Sequence, residues 1–216
     1  MTYYRMRDIA TPPFAYVLNK EEVIRTCSSC KMPFQDLEQE LKVEICTTES
    51  ISWDERILGK PMMADHWLIG DETFCGAIEE IAADQFDVTP ITVVSWLTRT
   101  PLSMMTDPGS LLKERRHPSP PTYFYLRPRQ QISLDNKLLK TFPPIQCAEC
   151  RREIPEIPFD FQPIPDPGET CYPIASLRDL YLEGFDYLFH ETIVEAVERV
   201  FPEMMLERLI SEPLPI

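Results

Sequence analysis

Two stretches of the chain carry the same apolar stripe. Phe74, Ile78, Ile81 and Ala82 recur at i, i+4, i+7 and i+8, and Ile193, Val197, Val200 and Phe201 repeat that spacing. Such a stripe predicts an amphipathic helix with one buried face. Asp71 and Glu72 before the first stripe, and Glu191 and Glu195 in the second, put carboxylates near the first turn, where the helix dipole favours them. Glu79, Glu80 and Asp84, with Glu195, Glu198 and Glu203, then form the solvated sides. Tyr3 to Met6 and Tyr123 to Leu126 predict strands, and so does the Val- and Thr-rich run Ile91 to Leu97 after the first helix. Leu206 to Ile210 is its expected match, with Pro202 closing the second helix; a further helix over Glu203 to Ile210 is the alternative. Trp67, Tyr187, Trp53 and Trp96 are expected to anchor the core, Trp67 and Tyr187 at near-equivalent places beside the helix starts.

The chain repeats itself. At an offset of 120, Tyr3 meets Tyr123, Tyr4 meets Phe124, Met6 meets Leu126 and Arg7 meets Arg127, and the same offset carries Cys27 onto Cys147 and Cys30 onto Cys150. One residue less aligns Glu72-Thr73 with Glu191-Thr192 and Ala77-Ile78-Glu79 with Ala196-Val197-Glu198. The expected fold class is therefore α+β, with two pseudo-symmetric halves that each own a CxxC loop, a few strands and one amphipathic helix. The halves are read as residues 1–106 and 122–216, joined by a Pro-rich link over 107–121 into one composite globular unit. Residues 143–168 hold seven prolines and are expected to run as extended coil.

Composition narrows the chemistry. Only 6 of 216 residues are glycine against 22 prolines, and no Walker loop, dinucleotide fingerprint or GxSxG elbow can be written. The net charge of −14 divides evenly, −7 from residues 1–119 and −7 from residues 120–216. That surface repels phosphate backbones and anionic lipid and attracts a basic protein, so the expected partners exclude nucleic acid and membrane. No apolar run is long enough to span a bilayer and no signal peptide is seen, so a cytoplasmic location with reduced thiols is expected.

In that setting two CxxC pairs point to metal rather than to a disulfide framework. A CxxC turn offers two thiolates to one tetrahedral ion and a second pair completes it, so Cys27, Cys30, Cys147 and Cys150 are the candidate ligands of one structural Zn²⁺ joining the halves. A second arrangement gives each pair its own ion, completed by Cys46, His66 or Cys75 in one half and by Cys171 or His190 in the other. Cys75 otherwise reads as a small buried helix residue, and His190, at the place of Asp71, as a helix cap. No catalytic residue is assigned and the chain is not expected to be an enzyme. His66, His117 and His190 form no HExxH or HxE motif, and four thiolates leave zinc no open position. A thiol oxidoreductase would set CxxC at a helix start after an apolar strand, a context missing here.

These residues carry a resemblance. The opening Tyr3-Tyr4-Arg5-Met6, the CxxC at Cys27, the second CxxC at Cys147 and a hydrophobic-acidic helix in each half resemble the bacterial double-CxxCG-motif immunity proteins over nearly the whole chain. The chain departs from that motif at the glycine after each pair, where Lys31 and Arg151 stand. The resemblance implies a cytoplasmic antidote that binds a cognate toxin and occludes it without chemistry of its own. Such a toxin is expected to be basic. A zinc-ribbon-like adaptor and, behind it, a CxxC thiol oxidoreductase are the alternatives.

Overall fold

The computed structural model describes residues 2–9, 14–23, 25–30, 33–34, 40–48, 60–64, 67–99, 112–114, 121–151, 153–154, 172–177 and 187–209. It is an α+β protein. Strands β1 (Tyr3–Ile9) and β2 (Phe14–Val17) lead to the short helix α1 (Lys20–Val23), then β3 (Arg25–Thr26), β4 (Pro33–Phe34), β5 (Lys42–Thr48), β6 (Met62–Ala64) and β7 (Trp67–Asp71). Helix α2 (Glu72–Ile81) runs into the long β8 (Phe86–Arg99), followed by β9 (Leu112–Glu114), β10 (Tyr123–Pro128) and β11 (Gln131–Ile132). Helix α3 (Asn136–Thr141), β12 (Ile145–Gln146), β13 (Glu153–Ile154), β14 (Ile174–Leu177), β15 (Leu188–His190), helix α4 (Glu191–Val200) and β16 (Met204–Arg208) complete the order.

Six strands close into a barrel. The order β10-β7-β6-β2-β5-β8 returns to its start because β10 also pairs with β8. On β8, the Gln85 carbonyl just ahead of the strand accepts from Arg129 N–H on the β10 side, while Thr92 N–H donates to the Leu41 carbonyl on the β5 side. Seven residues separate these groups, an odd number, so they lie on opposite edges of an extended chain and the ring is continuous. Alternate residues fill it: Val43, Ile45, Met62, Ile69, Trp67, Trp96, Tyr123 and Tyr125 are buried together inside. Trp96 stacks obliquely on Tyr123 and Trp67 meets Tyr125 edge to face.

The remaining main sheet has five strands in the order β11-β14-β15-β1-β16. Its senses of pairing, one parallel then three antiparallel, are those of β2-β6-β7-β10-β8. The opening strands lie crosswise. β1 pairs with β15 and β16, placing Tyr3 opposite His190 and Tyr4 opposite Arg208. β10 pairs with β7 and β8, placing Tyr123 opposite Asp71 and Phe124 opposite Pro90.

Helices α2 and α4 pack on each other, α2 against β7 and β10, and α4 against β1, β15 and β16. Phe74, Ile78 and Ala82 of one meet Ile193, Val197 and Phe201 of the other, with Leu68, Leu126, Met6 and Phe189 from the two sheets. Gly70 lets Phe74 in: a Cβ there would stand 1.9 Å from the ring. Asp71 caps α2 by accepting from Phe74 N–H, and His190 caps α4 by accepting from Thr192 N–H, as expected for that position. The Tyr187 hydroxyl accepts from Leu68 N–H at 2.7 Å and donates to the Leu126 carbonyl at 2.8 Å, tying the five-stranded sheet to the barrel.

Four expectations change. Val200 is 47% exposed, because the buried face of α4 centres on Val194 and Val197 and Val200 falls at its rim. Tyr187 matches Leu68 rather than Trp67, since both face the helices while Trp67 points into the barrel. The strand after α2 begins at Phe86, not Ile91, and passes through Pro90 because that residue's missing N–H faces away from β10. Within the expected link, Leu112–Glu114 pairs with β8 as β9. Met204–Arg208 is a strand, so the helical alternative there falls. Trp53 lies outside the described residues.

Candidate metal centre

Each CxxC pair sits at the tip of a small hairpin. β3 pairs with β4 through Arg25 opposite Phe34 and Thr26 opposite Pro33, and β12 pairs with β13 through Ile145 opposite Ile154 and Gln146 opposite Glu153. These are the same four positions moved by 120 residues. In the second hairpin the chain turns back through a hydrogen bond from Arg151 N–H to the Cys147 carbonyl at 3.0 Å. Arg151 there adopts φ 61°, the left-handed conformation that glycine supplies in the CxxCG motif. The turn is thus made without the glycine, against steric resistance of about 1–2 kcal/mol. Lys31, its counterpart, lies outside the described residues.

The hairpin tips face one another. Cys27 Sγ lies 3.8 Å from Cys147 Sγ, Cys30 Sγ lies 3.7 Å from Cys150 Sγ, and all four sulfurs fall within 4.8 Å of each other. Sulfurs about 2.3 Å from a common tetrahedral ion stand about 3.8 Å apart, whereas a disulfide needs about 2.05 Å. The four thiols, none of them in a disulfide, therefore fit an ion at their centre. Cys27 and Cys147 are buried, and Cys30 and Cys150 half-buried. Backbone N–H groups of Cys150 and Glu149 aim at the Cys147 sulfur and bring its pKa down to about 6, so the thiolate that a metal requires predominates at neutral pH.

A second bond crosses between the tips. Ser28 Oγ donates to Glu149 Oε2 at 2.6 Å, and this bond, ahead of smaller contributions from the facing CxxC turn, holds the Glu149 carboxyl below its ordinary pKa. Sequence reasoning passed over this pair; the signal available was an acid inside Cys147-Ala148-Glu149-Cys150 at the position of Ser29 in the first turn.

The structure brings together Cys27, Cys30, Cys147 and Cys150 in one group and leaves the other described candidates elsewhere. Cys46 is buried on β5. Cys75 lies on α2, its thiol pushed up to about 11 by burial and then by Asp71, Glu72 and Glu79, as suits an inert structural residue. His190 is occupied as a helix cap. His66, His117 and Cys171 lie outside the described residues. Neither CxxC opens a helix, the position that activates a thioredoxin-type thiol. No helix among the described residues is long and apolar enough to cross a membrane.

No family model matches the chain, and no match is found among curated proteins or solved structures.

Proposed function

We propose that the protein is an immunity protein: a non-enzymatic, cytoplasmic antidote that binds a cognate basic toxin and blocks it by covering its working surface. The observation that carries this reading is the meeting of two CxxC turns 120 residues apart in a single four-sulfur cluster. That layout underlies the resemblance to the double-CxxCG immunity proteins. The ion is taken to be Zn²⁺, one per chain, because four thiolates at tetrahedral spacing suit it and close the coordination shell against catalysis. Its role is to staple two copies of one ancestral unit, residues 1–106 and 122–216. The matching sheet orders and the paired registers shifted by about 120 residues support that duplication. The net charge of −14 supports a basic partner by speeding and orienting encounter.

Calorimetry with a catalytically inactivated product of the neighbouring gene tests this, alongside growth on coexpression with the active form. One-to-one binding with rescue of growth is the expected outcome. Absence of both overturns the immunity reading and favours the adaptor.

A further inference from the structure

The two CxxC turns match in their sulfurs but not in their amides. In the second turn the N–H groups of Glu149 and Cys150 aim at the Cys147 sulfur, and Arg151 N–H closes the loop onto the Cys147 carbonyl, so this turn is organised from within. Ser29 is the residue that matches Glu149 at the offset of 120. Its N–H is used differently. Together with Ser28 N–H and the Cys27 thiol it meets the Glu149 carboxylate, which also accepts from Ser28 Oγ at 2.6 Å. All of these donors belong to the first turn and their acceptor to the second. The contact therefore runs one way across the gap, with a side chain of one hairpin tip holding the backbone of the other.

Ordinary stability does not account for this arrangement. Ser28, Ser29 and Glu149 are exposed, where a hydrogen bond competes with water and contributes little. Charge works against it as well. Four thiolates around a divalent ion already leave net negative charge, and a further carboxylate beside them is repelled. What the carboxylate does supply is a fixed acceptor for the two residues between Cys27 and Cys30. Holding the N–H groups of Ser28 and Ser29 sets the direction in which both thiols leave the turn. The four-sulfur group does not include Glu149, so it acts on the ligands from outside their shell.

We propose that Glu149 is a positioning residue of the metal centre: its carboxylate shapes the first CxxC turn from the facing tip, so that Cys27 and Cys30 are held ready for the ion only when the second hairpin is in place. This rests on the single-ion reading of the four cysteines and gives it an order of assembly. The second turn is the preformed half of the site, and the first is set in register upon it. Outer partners of this kind orient ligands and raise metal affinity without touching the ion.

The test uses the full chain, stripped of metal and titrated with Zn²⁺ against a chromophoric chelator, with Co²⁺ as the spectroscopic probe of the ligand set. Glu149→Ala should weaken Zn²⁺ binding by about tenfold, and Ser28→Ala by about threefold. The double variant Ser28→Ala/Glu149→Ala should bind no more weakly than Glu149→Ala alone, because the serine acts through the carboxylate. Glu149→Gln, whose amide oxygen still accepts from Ser28, should recover part of the affinity. Throughout, Co²⁺ absorption keeps its tetrathiolate form and the melting temperature of the metal-free protein stays at the wild-type value. Wild-type affinity in Glu149→Ala, or losses that add in the double variant, overturns the positioning role while the single ion stands. A changed Co²⁺ band in Glu149→Ala also overturns it, by making the carboxylate a ligand. An equal loss of stability in the metal-free form overturns it by making the bond a plain structural tie. No metal uptake by the wild type overturns both the role and the single ion.

Discussion

The barrel and the five-stranded sheet start from one strand order and reach different ends. The barrel buries Val43, Ile45, Met62, Ile69 and four aromatic rings inside a closed ring, while one side of the five-stranded sheet gathers a smaller group: Tyr3, Ile132, Leu134, Ala175, Leu188 and Leu209. Among the described residues, what separates them is a single strand. Where β5 alternates Val43 and Ile45 inward with Lys42 and Glu44 outward, the second half offers alternating prolines. Among the described residues the strand order is thus shared although a closing strand is present in one sheet alone, because each neighbouring ladder and the helix layer beneath it are independently satisfied.

The cysteines give the most demanding test of how these unlike regions are coupled. If all four sulfurs hold one ion, Cys27→Ser and Cys147→Ser must behave alike although one lies in the first half and the other in the second. Each should reduce bound metal from about one ion per chain to near none. Melting temperature should fall by about 10 °C or more, the shift that a loss of about 4 kcal/mol produces in a chain of this length. Metal analysis and calorimetric melting measure both; full metal retention in one variant breaks the single-site geometry.

A smaller effect compares matched positions in β7 and β15. Gly70 faces Phe74, whereas its counterpart by register, Phe189, fills the helix layer from the other sheet. Gly70→Ala should destabilise by about 1–3 kcal/mol through overpacking, read from denaturant midpoints at unchanged m-value. Near-neutral stability would mean that the α2 layer is looser than the distances imply. The smallest expected change is a gain. Arg151→Gly relieves the left-handed backbone in the second CxxC turn and should stabilise by about 1 kcal/mol, while a loss would show that the arginine side chain contributes more than the strain costs.

Much of the site could be read from sequence because metal ligation needs particular atoms at fixed spacing, and the offset of 120 carried both cysteines and their hairpins. The helices were legible for a similar reason, since their stripes are local. Barrel closure was not. It depends on pairs such as Ala15 with Ala64 and Lys42 with Thr92, which leave no shared signature in either segment. The Val- and Thr-rich run Ile91 to Leu97 understated β8, which extends back through Pro90 to Phe86 because that proline's nitrogen faces away from β10. Val200 misled because a stripe of four apolar residues is wider than the face α4 buries. The missing glycine likewise concealed a turn that the backbone makes regardless of side chain.

The crosswise opening strands also set a timetable. Tyr3 to Ile9 leave the ribosome well before their ladder partners, Leu188 to His190 and Met204 to Arg208. During synthesis β1 must wait unpaired while the barrel assembles, and the barrel in turn waits for β10. Strand β1 is therefore among the last of the described strands to find its place, and the nascent protein has an unfilled strand to shelter until Arg208 has emerged.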